Sequence, residues 1–120
     1  MNTMIKINSA KIILDKYKNG QRHFSNYDLE NENFDDQNLE AIIFEKCFIA
    51  SSFKNTNLKN AKFLNSNIKN SDFSYADLTN VHLENLVIDG SIFIGAITTG
   101  IYFENNWFQD IKLTQLDFKI

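Results

Sequence analysis

Residues 51–100 read, in blocks of five, SSFKN TNLKN AKFLN SNIKN SDFSY ADLTN VHLEN LVIDG SIFIG AITTG. The third residue of every block but the last is apolar: Phe53, Leu58, Phe63, Ile68, Phe73, Leu78, Leu83, Ile88 and Phe93, then Thr98. A period of five fits neither a 3.6-residue helix nor a two-residue strand, so it marks an internal repeat. A second column, two residues before each centre, is small: Ser51, Thr56, Ala61, Ser66, Ser71, Ala76, Ser91 and Ala96, with Val81 and Leu86 as exceptions.

The phase extends in both directions. Forward it gives Phe103, Phe108, Leu113 and Phe118; backward it gives Phe48 and, after one four-residue step, Phe44, Leu39, Phe34, Leu29 and Phe24. On this reading all 11 phenylalanines occupy central positions. One large and one small inward residue per five predicts a solenoid with four short sides and about twenty residues per coil. Each centre then stacks on its equivalent one coil later: Phe53, Phe73, Phe93 and Leu113 on one ladder, Leu58, Leu78, Thr98 and Phe118 on another. Burial of each such side chain stabilises by about 1.5–3 kcal/mol, and no coil is stable without its neighbours.

The blocks AKFLN, SNIKN, SDFSY and ADLTN each run small residue, Asp or Asn (Lys in the first), apolar residue, two variable positions. In this they resemble the pentapeptide-repeat family. The resemblance implies an all-β fold, a right-handed quadrilateral parallel β-helix, here of about five coils with a short capping α-helix before the first. The phase covers residues 24–118, and both columns hold from about 51 to 96. Outside that core the small column is replaced by Arg22, Tyr27, Glu32, Gln37 and Ile42 before the first centres. Ile101, Asn106, Ile111 and Leu116 precede the last. An inward Glu32 is costly without a partner.

A chain of 120 residues with no proline and four glycines reads as one compact domain. Residues 1–22 form its N-terminal segment and capping helix, and 23–120 its β-helix. Residues 8–20 carry the helix signals: Asn8 or Ser9 as N-cap, Ile13 and Tyr17 four apart, and Asn19-Gly20 as the stop. MIKI, residues 4–7, reads either as an added strand or as a loose terminus. The sequence carries no secretory signal pattern and no apolar run of membrane-spanning length, so the expectation is a soluble cytoplasmic protein without a membrane partner.

Charge is banded. Residues 23–45 hold Asp28, Glu30, Glu32, Asp35, Asp36, Glu40 and Glu45 without Lys or Arg, whereas 46–69 hold Lys46, Lys54, Lys59, Lys62 and Lys69 without an acid. Stacking predicts cross-coil pairs of Asp35 with Lys54, Glu40 with Lys59 and Lys69 with Asp89. Asp35, Asp36 and Glu40 are also a candidate contact surface. A second candidate is apolar: Ile92, Ile94, Tyr102 and Trp107 are expected to project from two sides near the C-terminal end. They are covered either by a second copy, in a homodimer through the C-terminal coil as the resemblance implies, or by the final residues folding back.

No paired Ser or Cys with His, no phosphate-binding glycine loop and no metal-ligand spacing is present, so no catalytic, cofactor or metal site is assigned. Cys47 is read as structural, at the four-residue step. His23 and His82 stand apart from one another, and Asn60, Asn65, Asn80, Asn85 and Asn105 read as corner residues. The function expected is that of a non-enzymatic, rigid protein–protein interaction module. The alternative, which the resemblance implies for some family members, is mimicry of duplex DNA toward a gyrase-type topoisomerase. A net charge of −3 and a single lysine band argue against nucleic-acid binding.

Overall fold

The computed structural model describes residues 5–6 and 10–115. The chain winds into a parallel β-solenoid with four sides per coil. Its first side is a five-stranded sheet of β2 (His23–Ser25), β4 (Ile43–Glu45), β6 (Lys62–Leu64), β7 (His82–Glu84) and β8 (Tyr102–Glu104), paired in that order. The second side begins with β1 (Ile5–Lys6), β3 (Tyr27–Asn33) and β5 (Phe48–Ser52). It continues through single bridges from Phe48 to Asn67, Val87 and Trp107. The other two sides are held by bridges joining Ser52, Asp72 and Ile92, and Asn38, Asn57, Asp77 and Ile97. Residues 5–6, within MIKI, are therefore an added strand, with Ile5 beside Tyr27.

Each side's centre points inward, and each coil's centre rests on the next. On the third side Phe34, Phe53, Phe73 and Phe93 stack face to face with ring centroids 5.0, 5.1 and 5.3 Å apart and planes within 6°. Phe63 on the first side meets Phe53 and Phe73 edge-on, at 5.9 and 5.6 Å, which suits the quadrupoles of aromatic rings. Of the core ladder read from sequence, Phe53 through Leu83 are fully buried, while Ile88 and Phe93 are partly exposed toward the C-terminal end.

The small inward column also carries hydrogen bonds. Ser71 Oγ donates to Ile49 O (2.7 Å), Ser91 Oγ to Ile68 O (2.7 Å) and Thr56 Oγ1 to Phe34 O (2.6 Å), each one coil back. Their hydroxyls thus satisfy carbonyls at the corners, which the period-five ladder leaves out. The fully buried Asn106 does the same with its amide, donating to Leu83 O at 2.8 Å and accepting from Leu86 N–H at 2.9 Å. Glu32 avoids the predicted penalty by staying half-buried, with its N–H on Ser51 Oγ.

Corners require one left-handed residue each. Positive φ recurs two residues after each centre, at Asn26, Asn60, Asn65, Asn80 and Asn85 among others, and at Gly90, Gly95 and Gly100. Asn and Gly are the residues that tolerate this region. One corner lacks such a residue, and it corrects the register expected from sequence. Phe44 is followed by Ile49, not Phe48, as the next fully buried centre, and the four-residue step falls between Ile49 and Phe53. There Glu30 pairs with Ala50 but Asn33 with Ser52. Phe48 therefore leaves the inward set, and Cys47 joins the small column two residues before Ile49.

The solenoid has about four coils, fewer than the five expected. After Phe108, Gln109 and Asp110 both take positive φ (49° and 64°), the signature of a two-residue type I′ hairpin turn. Strand β9 (Asn106–Phe108) consequently pairs antiparallel with β10 (Ile111–Leu113). Leu113 thus sits opposite Asn106 in this hairpin instead of stacking on Phe93. Residues 111–113 fold back, as one sequence reading allowed, and Phe118 lies outside the described residues.

At the other end, α1 (Ala10–Lys18) buries Ala10 and Ile13 in the same core. Gly20 N–H bonds Tyr17 O and Gln21 N–H bonds Lys16 O, with Gly20 at φ 102°, a Schellman stop. Tyr17 anchors the helix to the first coil through its hydroxyl, which donates to Glu40 O at 2.8 Å, and under the Arg22 guanidinium 3.7 Å from its ring centre. Phe73→Ala should cost about 3–5 kcal/mol by opening the aromatic stack; an unchanged denaturation midpoint would contradict the inward ladder.

Candidate interaction surfaces

The acidic residues of the first coil do not make one patch. Asp35 follows Phe34, and its Oδ1 accepts from Ser52 Oγ (2.5 Å) and Lys54 N–H (2.8 Å), so this carboxylate braces the coil above. Asp36 is exposed at a left-handed corner, and Glu40, also exposed, lies one corner further on. The predicted cross-coil partners are stacked in register: Asp36 N–H bonds Lys54 O, Ala41 N–H bonds Lys59 O and Asn70 N–H bonds Asp89 O. They do not close into ion pairs. Among the described residues Lys11 and Asp15 form an ion pair at 2.7 Å, and His23 Nε2 lies within hydrogen-bond distance of Glu45 Oε1 at 3.0 Å. Exposed side chains gain too little from such pairing to be held in place by it.

The apolar surface is larger than the sequence reading anticipated. The residue before each centre points outward, and in the last full coil it is apolar on all four sides, on one of them already from Val87. Ile92 follows Asp72, Ile97 follows Asp77, Tyr102 follows His82, and Trp107 follows Val87. These four are 40–51% exposed, and Ile94 is 65% exposed. Four sides, not two, therefore contribute. Tyr75, Phe108 and Ile111 are also exposed. Ile97 was legible as a member of the outward row, whereas Phe108 was hidden by its inward phase and Tyr75 by its corner position. Tyr75 takes φ 60° with its ring over Gly95, where an added Cβ would lie 2.4 Å from Tyr75 Cε1. No charged residue occurs from Gly90 to Phe103.

Groups with reactive potential are dispersed. His82 stacks on Tyr102 at 4.9 Å, and its sheet neighbour in the preceding coil is Lys62. No cluster of three or more His, Cys, Asp or Glu suited to a metal occurs among the described residues. Cys47 is buried, its Sγ pointing at Phe24 O and Glu45 O, both at 3.4 Å. Burial pushes its thiol pKa up, against the opposing effect of nearby backbone groups. A shallow groove of 730 Å³ beside it is lined by Asn26, Lys46, Asn65 and Asn85, among others. The Asn85 amide there donates to Asn65 Oδ1 at 2.9 Å, so the corner side chains bond one another along the stack.

A pentapeptide repeat region model matches residues 21–93, more than half the chain and most of the span that the stacked coils occupy. The chain belongs to the pentapeptide-repeat family. Solved pentapeptide-repeat proteins share the fold at low identity. One from the Arabidopsis thaliana thylakoid lumen is 24% identical with a TM-score of 0.67, covering 78% of this chain and 66% of its own. The plasmid-mediated fluoroquinolone resistance protein QnrB1 is 18% identical with a TM-score of 0.61, covering 71% of this chain and 47% of its own. A third, from Nostoc PCC 7120, is 17% identical with a TM-score of 0.53, covering 96% of this chain and 90% of its own. The chain thus spans about half the length of QnrB1. No curated protein matches it in sequence.

The Cys47 environment sets a pH dependence. A thiol whose folded pKa is raised favours the folded state below its unfolded pKa, and that contribution is lost as pH climbs through the raised value. At about pH 8 the native protein should react with a thiol reagent far more slowly than the unfolded chain. Equal rates would mean that Cys47 is accessible.

Proposed function

We propose that this chain is a non-enzymatic protein–protein interaction module whose contact surface is the C-terminal coil. The observation that carries the reading is that the outward row, polar at Asp72, Asp77 and His82 and already apolar at Val87, is apolar on all four sides one turn later, at Ile92, Ile97, Tyr102 and Trp107. An apolar belt around a rigid rod suits a protein partner, and no group of three or more His, Cys, Asp or Glu suited to a metal occurs among the described residues. A second copy docked end to end would cover the same belt, which makes molar mass in solution the first measurement. Trp107→Glu and Ile94→Glu place charge on the belt without touching the core. Wild type should show a dimeric mass and both variants a monomeric one. A monomeric wild type assigns the belt to a different protein, and a dimer unaffected by either change removes the belt from the interface.

The DNA-mimic reading is favoured by the acidic first coil and by the fold shared with QnrB1. It is the weaker reading for three reasons. Four coils at about 4.8 Å each make a rod of only about 19 Å, Asp35 is engaged within the protein, and Lys54, Lys59, Lys62 and Lys69 follow directly. A gyrase supercoiling assay separates the two. The module reading expects no inhibition by the wild-type protein, whereas inhibition relieved by Asp36→Lys with Glu40→Lys would establish mimicry.

A further inference from the structure

Among the described residues, the fourth side of the last coil ends in an open backbone edge. In the three coils below, the centres Leu39, Leu58 and Leu78 donate N–H to Asn57 O, Asp77 O and Ile97 O at 2.8, 3.0 and 2.8 Å. The corner residues Ala41, Asn60 and Asn80 donate to Lys59 O, Thr79 O and Thr99 O at 2.8, 2.9 and 2.9 Å. In return Asn57, Asp77 and Ile97 donate to Gln37 O, Thr56 O and Ala76 O. The equivalent groups one coil later are the N–H of Thr98 and Gly100 and the carbonyl of Ala96. They have no hydrogen-bond partner among the described residues. The hairpin at Gln109-Asp110 is the reason, because it reverses the chain before a further coil can reach this side.

Exposed sheet edges are ordinarily guarded by lysine, proline or a bulge. This one, Ala96–Gly100, reads AITTG and has none of these. Its outward row, Asn38, Asn57 and Asp77, turns apolar only at Ile97, which is 51% exposed. No charge occurs around it from Gly90 to Phe103.

We infer that this edge accepts an extended, uncharged segment of a partner protein as an added strand, parallel to residues 96–100. The inference rests on the C-terminal coil being the contact surface and specifies how that surface is used. The lower coils dictate the register. The partner residue opposite Ile97 donates its N–H to Ala96 O and accepts from Thr98 N–H, and the residue two further on accepts from Gly100 N–H. The side chain opposite Ile97 joins the outward row beside it, and the next side chain points inward over Thr98. A suitable segment therefore carries two successive apolar residues. A charge at the first of them would lose hydration against Ile97 with nothing to pair with.

The test uses the isotopically labelled full chain and the acetylated, amidated peptide AILTNV, which copies residues 76–81 with the change Asp77→Ile. Binding should shift the amide resonances of Thr98 and Gly100 and slow their hydrogen exchange. N-methylation at the peptide's isoleucine nitrogen removes the bond to Ala96 O and should weaken binding about tenfold. The unaltered sequence ADLTNV should also bind more weakly. Equal binding of the N-methylated peptide, or shifts confined to Ile94 and Trp107, overturns strand addition while leaving the apolar belt as a contact surface. No shift at millimolar peptide overturns strand addition as well. Trp107→Glu, on another side of the coil, should retain peptide binding even where it abolishes association through the belt.

Discussion

The stacking of each inward residue on its equivalent one coil away is the interaction on which everything else rests. Most sides of this solenoid are three-residue strands or single bridges, too short to be stable alone. What holds them is the column of Phe34, Phe53, Phe73 and Phe93, the edge contacts of Phe63, and the Leu39, Leu58 and Leu78 ladder. Each ring is buried by the coils above and below it, so stability accrues by contact between neighbours. The ends are then the weak points. One is closed by α1, with Ile13 in the core. At the other, Ile88 and Phe93 keep part of their surface in water.

The ladder was legible because only one column in five must be large, and phenylalanine fills it with little ambiguity. The register near Cys47 was not, since Phe48 and Ile49 are both apolar and either could be the centre. The discriminating signal is the left-handed corner. Lys46 has φ 55°, two residues after Phe44, and the next such residue is Asn55, two after Phe53. With no left-handed residue between them, the irregular corner and the short step lie after Ile49. The ending was hidden for a related reason. Gln109-Asp110 is not among the dipeptides that announce a type I′ turn, and Phe108 keeps perfect phase up to the reversal.

The candidate surfaces divide in the same way. Charge banding was plain in the sequence, yet the structure gives the carboxylate of Asp35 to a hydroxyl and a backbone N–H. In the lysine band beside it Lys46, Lys54 and Lys62 are exposed, and Lys59 and Lys69 are half-buried. The apolar belt was seen on three of its four sides, through Ile92 and Ile94, through Tyr102 and through Trp107. Ile97 belongs to the same row and differs only in lacking a conspicuous neighbour.

The missing corner residue between Ile49 and Phe53 has a consequence for how such chains change over time. In an ordinary sheet a one-residue deletion turns every following side chain to the opposite face. Here the following corner resets which side chains look inward, so Phe53 and all later centres return to phase while the pairing offset alone differs by one. A coil's perimeter is thus a soft quantity, and single-residue losses at corners are mutations that this architecture can absorb and pass on.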